Sequence, residues 1–282
     1  MRTRHVTNVR HKIRYTIRRM TGQRYSVHER HEADVSMWQE LLVGFELVQL
    51  RLTSIFYGLG VPHGHGEAVV LIPGFLGTDA YLGELFSWLR TVGYRSYFSG
   101  IGWNAECPNL LIRRRLNDTV KRAFDATGQR VHLVGHSLGG IIARSVAAQR
   151  PDQIASVTTL GSPFRGPAAH RNVLRASDAI RNGILREHAG HILPGCYTED
   201  CTCEFVSSLK AEFPDDVAQT AIYTKSDGIV DWRYCVTGDT GIDCEVPGTH
   251  VGLVFNPAVY RLLANRLNRG TAPTLPDTRR AG

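Results

Sequence analysis

Nothing in this 282-residue chain is apolar for long enough to cross a bilayer. The most apolar N-terminal run, Leu41 to Leu50, is broken by Glu46 and Gln49. It also starts too late for a secretory leader, and no small-residue cleavage site follows it. The expectation is a cytoplasmic protein, or one peripherally associated with a membrane. Acidic residues are missing from positions 1–24, which hold eight cations: Arg2, Arg4, Arg10, Lys12, Arg14, Arg18, Arg19 and Arg24. Without that stretch the formal net charge of +7 becomes −1, with 25 basic against 26 acidic residues. The body therefore lacks the basic surface that nucleic acid requires, and nucleic acid is not an expected partner. Zinc spacing is missing too, because Cys196-x4-Cys201-x-Cys203 fits no common ligand pattern. Cys235 and Cys244 bracket a polar loop, where a disulfide and two free thiols are alternatives set by the redox compartment. Compositional extremes are absent as well. With 43% hydrophobic and 21% charged residues, the chain can bury a core and support a pocket.

What is present divides the chain unevenly. Residues 1–30 read as a basic flexible tail, with a solvated arm, an anionic lipid contact and a targeting peptide as competing roles. Residues 31–65 read as an amphipathic helix and a linker. Val35, Trp38, Leu41, Leu42, Phe45, Val48, Leu52, Ile55 and Phe56 recur at helical spacing. Packing of that apolar stripe on the domain is preferred to an interfacial membrane role. Residues 66–268 then alternate short apolar runs with helical patterns. Strands are expected at 68–72, 94–98, 131–134, 157–160 and 220–223, and helices at 81–91, 110–126, 141–150 and 257–267. Continuous apolar runs suit strands covered on both faces, so the class is α/β, a mostly parallel sheet with helices on both sides. Between about residues 164 and 214 no strand is expected, only a short helix near Val173–Leu185. This cap or lid insertion precedes the acid-bearing strand, above the carboxyl ends where ligands bind. Residues 269–282 read as a polar C-terminal tail.

The chemistry is carried by Gly135-His136-Ser137-Leu138-Gly139, placed between the strand Val131–Val134 and a helix. A serine hydroxyl is a weak nucleophile without a base, a group that orients the base, and donors for the oxyanion. A strand-to-helix elbow flanked by glycines solves the geometry by exposing Ser137 on a tight turn. The backbone N–H of Leu138 is then one oxyanion donor. The N–H of Phe75, in Pro73-Gly74-Phe75-Leu76-Gly77 after the first strand, is the other. Serine, acid and histidine should follow in that chain order. After Ser137 the histidines are His170, His188, His191 and His250, and only His250 precedes the final helix. Asp227 and Asp231 share the loop beyond Thr220–Tyr223. Asp227 is preferred because Gly228 permits a turn that aims its carboxylate inward.

Five blocks carry a resemblance: Pro73–Gly77, Gly135–Gly140, Gly161-Ser162-Pro163-Phe164-Arg165-Gly166, Ser226–Asp231 and Gly248-Thr249-His250. Over residues 66–268 they resemble the bacterial lipase and esterase branch of the α/β-hydrolases. The resemblance implies the α/β-hydrolase fold and hydrolysis of a small-molecule or lipid carboxylic ester. The route it implies is an acyl-enzyme on Ser137, Asp227 and His250, with neither cofactor nor metal. Phe164 departs from the family block, where a His is usual. A thioesterase, amidase or acyltransferase on the same residues, or a non-catalytic binding protein of the same fold, are the alternatives.

Overall fold

The computed structural model describes residues 31–187 and 201–269. The expected tail over 1–30, residues 188–200 of the expected insertion and positions 270–282 lie outside the described residues. Six strands form one sheet: β2 (Ala68–Ile72), β3 (Arg95–Phe98), β4 (Val131–His136), β5 (Ile154–Leu160), β7 (Ala218–Tyr223) and β8 (Asp243–Glu245). Their order is β3-β2-β4-β5-β7-β8, and every neighbouring pair is parallel. Val70 stands beside Tyr97 on one side and Leu133 on the other.

The apolar runs behave as fully covered strands. All five residues of β2 are buried, and they alternate between two cores. Ala68, Val70 and Ile72 pack with α3 (Pro108–Leu111), α4 (Asn117–Thr127), α5 (Leu138–Gln149) and α7 (Glu204–Lys210). Val69 and Leu71 pack with α1 (Val43–Arg51), α2 (Gly83–Thr91) and α8 (Pro257–Arg269). Helices therefore cover both faces. Arg113, Arg114 and Arg115 lie exposed on a π-helical stretch between α3 and α4.

Four expectations change. A two-residue strand, β6 (Ala168–Ala169), interrupts the segment read as strandless, and it pairs in parallel with β1 (His31–Glu32). It is followed by α6 (Arg171–Glu187), longer than the helix expected there. β8 was read as loop, because Asp243-Cys244-Glu245 is short, polar and at the sheet edge.

Cys235 and Cys244 are free thiols. Their surroundings differ: Cys235 packs with Ala169 and Val230, while Cys244, on β8, accepts a hydrogen bond from Arg266 at 3.4 Å.

The segment 32–57 is not one helix packed by its apolar stripe. It breaks into turns over Met37–Leu42, α1 and a further turn over Ser54–Tyr57. Its inward side carries Glu46, Leu50 and Ile55, whereas Trp38, Leu41, Phe45, Val48 and Leu52 face solvent. The periodicity was real, but two carboxylates reverse which side is in, as their partners show below.

Candidate active site

In a parallel sheet all strands deliver their carboxyl ends to the same edge. Here β2 and β4 are neighbours although β3 intervenes in the chain, so a crevice opens between the loops that follow them. Ser137 follows β4 directly. Its φ of 53° and ψ of −124° are unfavourable for any side-chain-bearing residue, a strain held by its surroundings. Its N–H donates to Leu160 O at 2.8 Å, and its carbonyl accepts from Gly140 N–H at 3.0 Å. Glycine is obligatory on both sides. A Cβ on Gly135 would stand 2.3 Å from Gly139 O, and one on Gly139 would stand 2.3 Å from Ile72 O.

Leu138 opens α5, and the first N–H groups of a helix have no intrahelical acceptor. Phe75 N–H makes no hydrogen bond to another described residue. Its loop approaches closely enough that a Cβ on Gly74 would lie 3.0 Å from the Ser137 Cβ. Leu76, at φ 60°, is the other non-glycine residue with positive φ among the described residues. The loop is braced from outside: Leu76 N–H donates to Asn104 O at 2.9 Å, and Asn104 Nδ2 donates to Pro73 O at 2.8 Å.

His250 and Asp227 come together at the same edge, both buried, with His250 Nδ1 2.7 Å from Asp227 Oδ2. The other carboxylate oxygen accepts from Ile229 N–H at 2.9 Å and Val230 N–H at 2.7 Å. Asp231 is turned away, pairing with Arg233 at 2.7 Å and capping the short helix Trp232–Tyr234. Gly228 has no left-handed φ, which corrects the reason given for its place. A side chain there would strike Ser36 O at 2.6 Å and the Glu40 carboxylate at 2.9 Å. Burial pulls the His250 pKa down, but the charge and hydrogen bond of Asp227, with the charge of Glu40, leave it raised above 6.5.

Sequence reasoning missed three supporting groups. Glu40 accepts from Gly228 N–H at 3.1 Å, His250 N–H at 2.9 Å and Val251 N–H at 2.9 Å, so one carboxylate ties the Asp227 loop to the His250 loop. Glu46 accepts from Thr249 N–H at 2.8 Å and Thr249 Oγ1 at 2.7 Å. The only trace of either in the sequence is an acid inside an otherwise apolar helix. His136 is the third. Its Nε2 meets His250 O at 2.9 Å, and because a carbonyl only accepts, Nε2 carries the proton. Its Nδ1 accepts from Tyr81 Oη at 2.9 Å, which in turn accepts from Gly74 N–H at 2.7 Å. Burial, with the neighbouring His250 charge, pushes the His136 pKa down to about 3, so this ring is a neutral spacer between the Gly74 and His250 loops. Phe164 is buried and stacks on Arg144, whose guanidinium carbon is 4.3 Å from its ring centre.

A family model for the alpha/beta hydrolase fold matches residues 112–188, which include β4, Ser137, α5 and β5. A triacylglycerol lipase of Pseudarthrobacter phenanthrenivorans is 36% identical over 106 residues, 35% of this chain and 33% of that protein. One from Burkholderia plantarii is also 36% identical over 106 residues, 35% of this chain and 30% of its own. The chain thus spans about a third of the length of the curated relatives it matches. Among solved structures, a soluble variant of monoglyceride lipase from Saccharomyces cerevisiae, in complex with a substrate analog, is 15% identical. That likeness covers 76% of this chain and 91% of that one, with a TM-score of 0.49. With its parallel sheet, its serine turn after β4 and the family-model and lipase matches, the chain has the α/β-hydrolase fold and resembles the bacterial lipase and esterase branch of that superfamily.

Proposed function

We propose that the protein hydrolyses carboxylic esters, lipid esters among them, through an acyl-enzyme on Ser137. The observation that carries this reading is the buried Asp227–His250 pair at 2.7 Å, at the same sheet edge as the strained Ser137 turn. His250 accepts the Ser137 hydroxyl proton at Nε2 as Oγ adds to the ester carbonyl. Asp227 holds the proton on Nδ1 and stabilises the imidazolium that forms. The N–H groups of Phe75 and Leu138 receive the oxyanion. Collapse of the tetrahedral intermediate breaks the ester C–O bond, and the departing alkoxide takes the proton from His250. Water then repeats the sequence, with His250 as its base, and releases the acid.

Residues 66–268 form the catalytic domain in this reading, with residues 164–214 as its cap. The start of α6 supports that role: His170 N–H donates to Ile229 O at 2.7 Å, and Val173 and Leu174 pack against Val230 beside Asp227. Labelling with a fluorophosphonate probe tests the function. Wild type should label and turn over p-nitrophenyl esters, and Ser137→Ala should do neither. Equal labelling of the two proteins would refute the assignment.

A further inference from the structure

The helical stretch from Met37 to Leu52 is built the wrong way round for a helix that only covers a core. Trp38, Leu41, Phe45, Val48 and Leu52 follow one another at intervals of three and four, so they form a single stripe. They are 80%, 74%, 67%, 55% and 82% exposed, and Leu42 beside them is 57% exposed. The large exposed apolar side chains of the described residues lie between Met37 and Leu59, except Leu76 and Trp103. Leu76 is on the loop that holds Phe75, and Trp103, on the segment after β3, lies against it, its Nε1 donating to Leu76 O at 3.0 Å. Apolar surface is thus concentrated on the helix and beside the candidate site. A contiguous stripe of this kind marks an interaction surface.

Charge identifies the partner. The helical stretch begins at Met37, a dozen residues after positions 1–24, which carry eight cations and no acid, while the remainder of the chain has a net charge of −1. An apolar stripe with a dense cationic stretch just ahead of it matches an anionic lipid surface, where side chains enter the acyl boundary and cations meet the headgroups. A second copy of this chain would instead bring two such cationic stretches together. The inward side of the same helix carries Glu40 and Glu46, which hold the Asp227 and His250 loops.

We infer that the Trp38–Leu52 face docks the protein on anionic lipid, with the site loops fixed to the other side of the docking helix. Binding does not depend on the ester chemistry, so Ser137→Ala should dock as wild type does. The test is flotation of the full-length protein with phosphatidylcholine vesicles, with and without about one-third phosphatidylglycerol, alongside sedimentation without lipid. Wild type should float with the anionic vesicles and far less with the neutral ones, and added salt should weaken it, since surface charge attraction is screened. The double variant Leu41→Ser, Phe45→Ser should bind at least tenfold more weakly. Its rate on a soluble p-nitrophenyl ester should stay within twofold of wild type, a control for folding. Replacing Arg10, Arg14, Arg18 and Arg19 with Gln should weaken anionic binding while leaving the apolar stripe intact. Wild type that fails to float overturns the inference. So does an apolar double variant that binds equally well. A dimer in solution that the double variant dissociates would assign the face to a second copy instead, and stripe residues protected from hydroxyl-radical labelling in the lipid-free monomer would assign it to the chain's own residues.

Discussion

Asp227→Asn should silence the protein through a tautomer, and the geometry fixes the direction. The Oδ1 atom accepts two backbone N–H groups, from Ile229 and Val230, and an amide placed there must present its oxygen to them. Its NH2 group is then left at the position of Oδ2, 2.7 Å from His250 Nδ1. Nδ1 must accept, so the ring proton moves to Nε2, the atom needed to take the proton from Ser137. Flipping the amide would restore the ring but would set two N–H groups against an NH2. Unmaking those two bonds in a buried loop costs about 2–6 kcal/mol, more than an imidazole pays to change tautomer. The amide therefore stays, and kcat should fall by about 10⁴-fold, or ~5 kcal/mol, with KM changed far less. Asp231→Asn should keep its rate within a few-fold, because its carboxylate serves Arg233. Initial rates on p-nitrophenyl butyrate, with thermal melts to establish folding, measure both. An Asp227→Asn enzyme that keeps a tenth of the wild-type rate, or an inactive Asp231→Asn, would refute the reasoning.

Other consequences concern the same loops. His250 must be neutral to act as base, so activity falls as pH drops through its folded pKa. Because Asp227 and Glu40 leave that pKa raised, the acid limb of kcat/KM should lie above pH 6.5. Glu40→Gln keeps an acceptor but removes the charge, and should move that limb to lower pH; a rate profile from pH 5 to 9 that is unchanged would contradict the coupling. Glu46→Ala leaves the buried Thr249 N–H without its acceptor, which should cost about 1–3 kcal/mol and lower both Tm and kcat. Gly139→Ala drives a Cβ against the backbone oxygens of Ile72 and Pro73 at 2.3 and 2.6 Å. A loss of about 2–3 kcal/mol, or failure to fold, is expected from melting curves, and a normal Tm would show that the turn is looser than described.

Much of the fold was legible because its strongest signals are local. β2 is an unbroken apolar run, β4 is broken only by His132 before the elbow, and the glycines around Ser137 answer a steric demand within five residues. Asp227 and His250 could be reached by chain order, a topological regularity that needs no distances. β8 escaped because an edge strand of three residues has one partner and little apolar content. The N-terminal helix misled for a deeper reason. Periodicity reports that a stripe exists but not which side faces the protein, and here two carboxylates with backbone partners about 200 residues away decide it. The same long range hid the Tyr81–His136–His250 connection, whose members look like unrelated polar residues in the sequence.

The grip of Glu40 and Glu46 also sets an order of events during synthesis. Both residues leave the ribosome some 200 residues before Gly228, Thr249, His250 and Val251. Until those residues are made these two acids lack the N–H groups they bind, and the helical stretch that bears them can form only a provisional association with the growing domain. Its seating must wait until the loop bearing His250 has emerged, so closure across some 200 residues becomes a late step of folding. The site is then finished by a segment made some 200 residues earlier, and a nascent chain stalled before His250 would hold a complete serine turn without its base or its clamp.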